Sequence, residues 1–596
     1  MKKIYAMAVS SSLLLSLLAT TGQEAQAYQK PVLKKGITQP VYALDEAIVE
    51  RVFIETTIDS DRDGKRDRVH ADLIRPRETA HGLKVPVIYE MSPYNAGIKD
   101  VPVYDVNTEL TAVPTKNSNT RVSKVGSKAL RSASKFPGYY DDYFVPRGYG
   151  VVLAESIGTG QSDGCPTTGD ERETLGAKAV IDWLNGSAKA YDAKGVEVKA
   201  TWSTGNVGMT GVSYDGTLPN AVATTGVKGL KTIVPIGAIS SWYDYYRGNG
   251  AVIAPGGYPG EDADNMAEAI TTRKNPDKCR KVTQELTAEQ DRKTGDYNNF
   301  WAHRDYVKKA HHVRASVFSV HGLNDWNVKT KQLSSWWLAL GKFDVPRKLW
   351  LHQGGHNTPY NFRREAWLHT LNKWFDYWLY NSHNNVMQEP AVDIERENLT
   401  WKKEKTWPAK HTENVSLSLQ PGKLTTKMNT EQVKQRMIDD ASVRVEDMLE
   451  DPKQASEHHL LFQTPRLKKG IRISGTPYMQ ATASIDKPVA NLTAVLVDYG
   501  PKFSEIITRG WMDPQNLKSS SQSQALTPGK NYTFKWDLQP DDYVVKKGHT
   551  VGLVLLSSDH DYTLRPKAGT KITVSLQKSK LILPIQGGED ALKWEK

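Results

Sequence analysis

The chain has 596 residues, 39% hydrophobic and 24% charged, enough for two to four domains and at least one large core. That balance excludes disordered and collagen-like chains. Lysine and arginine outnumber aspartate and glutamate by 78 to 67, a formal charge of +11, yet there is no dense basic block and no zinc-finger spacing, so nucleic-acid binding is not expected.

At the N-terminus Lys2 and Lys3 precede an apolar stretch over 4–19 that ends in Ala25-Gln26-Ala27. This is the pattern of a signal peptide over 1–27, cleaved before Tyr28. Its apolar core is too short for a comfortable membrane span, and no later segment approaches eighteen continuous apolar residues. A secreted protein without a membrane span is therefore expected, and its positive charge suits contact with an anionic cell wall. Cys165 and Cys279, the only cysteines, are a candidate disulfide in an oxidising compartment; two separate thiols are the alternative.

Over 28–385, short apolar runs at 85–90, 150–155, 206–210, 230–236, 315–320 and 348–352 alternate with helical stretches such as 175–184. Strands of this kind, rich in Val, Ile and Leu without strict alternation, belong to a parallel sheet covered on both faces, so an α/β fold is expected. Trp367, Leu371, Trp374 and Trp378 recur at helical spacing and read as core. A polar and aromatic insertion over 240–312, with helix-like pieces at 262–272 and 283–294, interrupts the strands and reads as a cap. Over 386–596, short alternating strands at 415–419, 471–474, 492–497, 532–536, 550–556 and 571–576 argue for an antiparallel β-sandwich, with 518–524 a solvated loop.

The chemistry lies in Gly211-Val212-Ser213-Tyr214-Asp215-Gly216, placed between a strand and a run of small helical residues. A serine on a strained strand-to-helix turn needs small neighbours, which makes this a nucleophile elbow in G-x-S-x-x-G form. Serine is a weak nucleophile at neutral pH, so an imidazole must take its proton and a carboxylate must orient the imidazole. Asp325 follows the strand at 315–320, and His356 follows the strand at 348–352 behind Gly354 and Gly355, in the chain order Ser, Asp, His. His311, His312, His321 and His352 compete, but none sits after the last strand behind paired glycines. The oxyanion needs two donors, for which the Tyr214 backbone N–H and the Tyr94 phenol in Ser92-Pro93-Tyr94 are candidates. Asp59-Ser60-Asp61-Arg62-Asp63-Gly64 with Asp67 resembles the start of a calcium loop, but its twelfth position is His70 instead of Glu, so it reads as a hairpin turn. The pairs His311-His312 and His458-His459 lack companion ligands, and no catalytic metal or other cofactor is expected.

These segments, with Ala238–Arg247, Pro255–Asp262, Asn324-Asp325-Trp326-Asn327 and the β-rich last third, resemble the Xaa-Pro dipeptidyl-peptidases and their cocaine-esterase-like relatives over essentially the whole mature chain. The resemblance implies an α/β-hydrolase domain, an inserted helical cap and a C-terminal jelly roll. It further implies release of Xaa-Pro dipeptides from proline-containing peptides with a free N-terminus. By motif it assigns Ser213, Asp325 and His356 to the triad, Tyr94 and Tyr214 to the oxyanion hole, and Glu261 to the substrate's α-ammonium, with Tyr245 and Asn327 around it. Trp242, with Tyr243, Tyr245 and Tyr246, is a candidate wall for the proline ring, and an aromatic core cluster is the alternative. The stretch between Tyr28 and the first strand is short, so the long N-terminal helical domain of the large intracellular members, and the dimer built on it, is not expected. Two other readings compete: an esterase or β-lactam acylase of the same superfamily, and a non-catalytic wall- or glycan-binding protein.

Overall fold

The computed structural model describes residues 29–113, 121–122, 136, 138–449 and 456–595; the signal peptide expected over 1–27 lies outside them. Twelve strands form one sheet: β1 Ile48–Glu55, β2 Arg68–Arg75, β3 Val85–Ser92, β4 Gly150–Glu155, β5 Ala190–Tyr191, β6 Glu197–Val198, β7 Ser203–Val212, β8 Leu230–Ile236, β9 Ser316–Gly322, β10 Arg347–His352, β11 Val392–Glu395 and β12 Trp401–Glu404. Their order is β6-β5-β1-β2-β4-β3-β7-β8-β9-β10-β11-β12. From β4 to β11 every neighbouring pair is parallel, while the pairs outside that run are antiparallel.

Successive side chains of a strand leave opposite faces, so each central strand feeds two cores. Val87, Ile233 and Val317 pack under helices α1 (Glu171–Leu184) and α2 (Tyr214–Ala223). Their neighbours Ile88, Val234 and Phe318 pack on the other face against α6 (Arg364–Leu379), where Trp367, Leu371 and Trp374 are buried. The tryptophan stripe is thus core, with Trp378 half-buried at its edge.

The insertion after β8 carries α3 (Trp242–Tyr246), α4 (Ala263–Ile270) and α5 (Arg280–Glu289), so it is helical, with a two-residue hairpin at Arg247–Gly248 and Ala251–Val252. A disulfide between Cys165 and Cys279 joins it to the loop after β4. Beside the disulfide, Arg273 bonds Asp61 (2.7 Å), Lys278 bonds Asp63 (3.0 Å) and Arg62 bonds Glu285 (2.7 Å). The acidic segment is the turn between β1 and β2. Carboxylate oxygens of Asp59, Asp61 and Asp67 lie within 4.8 Å of one another, and each is engaged: Asp59 by the N–H groups of Asp63 and Gly64, Asp67 by Ser60, Asp61 by Arg273.

The C-terminal sheet has thirteen strands between Thr412 and Gln586, antiparallel except where Lys423 pairs with Gln463, around a core that includes Leu417, Phe462, Ile473, Phe534 and Leu583. Beyond the boundary expected at 385/386, the first sheet continues for two more strands. Strands β11 and β12 extend the first sheet, so the second begins only at Thr412; their short alternating texture resembles the sandwich strands, but β11 pairs in parallel with β10. The loop over 518–524 is mostly exposed but also docks on the cap, where the Tyr297 N–H donates to the Ser520 carbonyl (2.7 Å). Among the described residues no helix is long and apolar enough to cross a membrane.

Candidate active site

Ser213 sits between β7 and α2 with φ 63° and ψ −125°, a conformation that costs a non-glycine residue about 1–3 kcal/mol and that the surroundings must enforce. They do so by close packing. A Cβ on Gly211 would lie 2.4 Å from the Asp215 carbonyl oxygen, and one on Gly216 would lie 2.7 Å from the Gly211 oxygen. Only glycines allow the helix to return over its own strand this tightly. The Ser213 N–H donates to the Ile236 carbonyl (2.8 Å) at the end of β8, and Tyr214 opens α2, where first-turn N–H groups have no intrahelical acceptor.

The imidazole arrives beside the same strand end. His356 Nδ1 lies 2.6 Å from Asp325 Oδ2, and a Cβ on Gly237, the residue after Ile236, would lie 3.2 Å from the ring. The position-237 backbone therefore lies beside both the strand end that anchors Ser213 and the imidazole, whose Nδ1 is engaged by Asp325. Asp325 is buried; its Oδ1 accepts the N–H groups of Asn327 (3.1 Å) and Val328 (2.9 Å), which fixes the carboxylate. Of the competing histidines, His321 is buried with Nε2 2.7 Å from the Val328 carbonyl, and burial lowers its pKa. Burial pushes His352 down to about 4. His311 and His312 are exposed on a helical turn in the cap.

Tyr94 follows β3, its N–H donating to Ser92 Oγ (3.0 Å) and its ring edge-on to Tyr214 at 6.1 Å. Burial, then the charges of Asp215 and Glu261, raise its pKa well above the usual phenol, so it keeps its proton as a donor. Glu261 is half-buried at the entry to α4 and accepts from the Tyr246 hydroxyl (3.1 Å). Its neighbour Asp262 is fully buried, bonded by Arg247 (3.0 Å) and Arg292 (2.9 Å), and caps α4 with Asn265. Tyr245 donates to Asn327 Oδ1 (2.8 Å), tying the cap to the Asp325 loop. Of the two readings of Trp242, a proline wall or a member of an aromatic core, its burial matches the core. It is fully buried, packed on Tyr214 (4.8 Å between rings) with Nε1 bonded to the Tyr306 hydroxyl (3.0 Å), so it supports the tyrosines and offers no surface to a proline ring.

Three further residues lacked a motif. Glu173 accepts the Tyr214 hydroxyl (2.6 Å) and the N–H groups of Thr167, Thr168 and Gly169. Lys329 is buried with Nζ 3.4 Å from the Tyr245 carbonyl, and burial lowers its pKa to about 7. Trp326, between Asp325 and Asn327, packs against the C-terminal sheet. Only the proximity of Lys329 and Trp326 to Asp325 in the sequence hinted at them.

The arrangement is that of a serine acyl-transfer enzyme, and comparison with known proteins gives the same class. The family model of the X-Pro dipeptidyl-peptidases (S15 family) matches residues 63–358, and that of the X-Pro dipeptidyl-peptidase C-terminal non-catalytic domain matches 384–591. A Bacillus anthracis protein is 58% identical over 564 residues, 94% of this chain and 91% of that one. The Xaa-Pro dipeptidyl-peptidase of Lacticaseibacillus rhamnosus is 34% identical over 641 residues, 94% of this chain and 80% of that one. Among solved structures, a CocE/NonD family hydrolase from Staphylococcus aureus shares the α/β-hydrolase fold at TM-score 0.64 and 16% identity, covering 92% of this chain and 98% of that one. The chain belongs to the X-Pro dipeptidyl-peptidase family and is a serine hydrolase of that type.

Proposed function

We propose that the enzyme is secreted and releases Xaa-Pro dipeptides from free peptide N-termini through a dipeptidyl ester on Ser213. The observation that carries the reading is the Asp325–His356 contact over Gly237, beside the strand end that holds Ser213, with Glu261 fixed nearby in the cap. His356 Nε2 takes the Ser213 proton as Oγ bonds the prolyl carbonyl carbon, and the oxyanion takes hydrogen bonds from the Tyr94 hydroxyl and the Tyr214 N–H. The C–N bond then breaks, and the proton on His356 passes to the leaving amine. Water, deprotonated by the same imidazole, attacks the ester, releases the dipeptide acid and restores the serine.

Glu261 gives this chemistry its register. A carboxylate at a set distance from the serine pairs with the substrate's α-ammonium, so cleavage falls after the second residue. Proline, with fixed φ and no N–H, is a poor fit for ordinary protease clefts, which favours an enzyme dedicated to it. Secretion is supported by the N-terminal segment and by a disulfide of the sort oxidising compartments maintain.

The test compares hydrolysis of alanyl-prolyl-p-nitroanilide with its N-acetyl twin. Strong preference for the free amine is expected; equal rates would reject the dipeptidyl-peptidase reading in favour of a general esterase.

A further inference from the structure

We propose that the C-terminal sandwich takes part in substrate selection: the buried pair Arg509–Asp559, with Trp511 and Tyr562, holds the strap over 253–261 so that Glu261 keeps its distance from Ser213. This rests on the reading of Glu261 given above and assigns the sandwich a role in the same site.

The contact is built from groups that are costly to bury. Arg509 and Asp559 are buried, with Nη1 3.1 Å from Oδ2, and Trp511 Nε1 donates to the same oxygen (2.9 Å). The guanidinium lies 5.1 Å from the Trp326 ring and 4.9 Å from the Tyr562 ring, and these two rings are 6.0 Å apart. An ion pair withdrawn from water contributes little net stability compared with hydrocarbon of the same shape. What it supplies here is a fixed direction, since a planar guanidinium lies against two aromatic rings with its charge shared between Asp559 and Glu446 (2.9 Å).

From this block the strap is held through its backbone. The Ala254 N–H donates to the Tyr562 carbonyl (2.8 Å), and Ile253 bridges Thr563. The Gly256 N–H donates to the Trp326 carbonyl (2.9 Å), an approach that leaves a Cβ only 2.8 Å from that oxygen. Upstream, Asn249 Nδ2 donates to the Trp511 carbonyl (3.0 Å) and to Asp537 (2.8 Å). The sandwich therefore pins the chain at the turn of the cap hairpin and just beyond it, before it reaches Glu261. Asp325 is fixed separately, by the Asn327 and Val328 N–H groups and by His321 on the Val328 carbonyl. Loosening the block shifts the strap and leaves the triad in place.

The test uses the full chain carrying Arg509→Met with Asp559→Asn, which removes both buried charges and leaves the exposed Glu446 to water, and independently Trp511→Phe, which deletes the indole donor with part of the ring. Substrates are alanyl-prolyl-p-nitroanilide, its N-acetyl twin and p-nitrophenyl acetate. The expected result is a KM for the free amine raised about tenfold in the double variant and less in Trp511→Phe, the scale of one weakened charge-assisted bond. The kcat and the acetate hydrolysis stay at the wild-type level, so preference for the free amine falls in step with KM. Either variant keeping the wild-type preference, or losing all three activities together while folded, overturns the proposal. A double variant that does not fold leaves Trp511→Phe to decide. A wild-type enzyme indifferent to acetylation rejects the reading of Glu261 itself, whatever the variants do.

Discussion

Replacing Glu261 by Gln isolates the ammonium anchor, because the amide keeps the shape and can still accept from the Tyr246 hydroxyl at the present distance of 3.1 Å. The neighbouring Asp262, clamped by Arg247 and Arg292, keeps the turn in place, so the change is one of charge. A hydrogen bond to a charged group contributes about 1.5–3 kcal/mol, and Glu261 is only half-buried, so the lower two thirds of that range apply. At about 1.4 kcal/mol per factor of ten, kcat/KM for alanyl-prolyl-p-nitroanilide should fall about 10- to 60-fold. The acetylated twin has no ammonium to lose and should be hydrolysed as before. The assay is steady-state release of p-nitroaniline from both substrates. An equal loss on both would show that the change acts through the fold or the triad, and would refute the ammonium assignment.

Tyr94→Phe removes one oxyanion donor and should lower kcat about 10²- to 10³-fold with little change in KM, measured on the same anilide. Replacing both Cys165 and Cys279 by Ser opens a link across 114 positions, which the chain-entropy account values at about 4–5 kcal/mol. The melting temperature should drop, and dithiothreitol should lower that of the wild type but not of the variant; a variant melting with the wild type would refute the staple. For Lys329, the folded pKa of about 7 lies below the ordinary lysine value, so the folded state binds fewer protons between about pH 7 and 10.5 and gains stability as pH rises through that window. Lys329→Met lacks this penalty, so its advantage in melting temperature should be largest below pH 7 and shrink towards pH 10; an advantage that does not change with pH would refute the buried amine.

What could be read from the amino-acid order follows a physical division. The strands at 230–236 and 550–556 occur with those bounds because an apolar run fully buried in a sheet carries its own signal. The elbow is legible for a similar reason: the tight return over Ser213 requires glycine at 211 and 216, and that requirement is local. For Trp242 the amino-acid order left a proline wall and an aromatic core equally open, because its partners Tyr214 and Tyr306 lie 28 and 64 positions away. The same limit hid Glu173 behind Tyr214 and Arg509 behind Trp326, and it hid that β11, which looks like a sandwich strand, pairs with β10 of the first sheet. Reacting groups stand at strand ends, so their sequence neighbours identify them. The groups that aim them come from other parts of the chain, where only the folded contact carries the information. On the function proposed above, that places acyl transfer in the local motifs, and substrate register in the long-range contacts that hold Glu261.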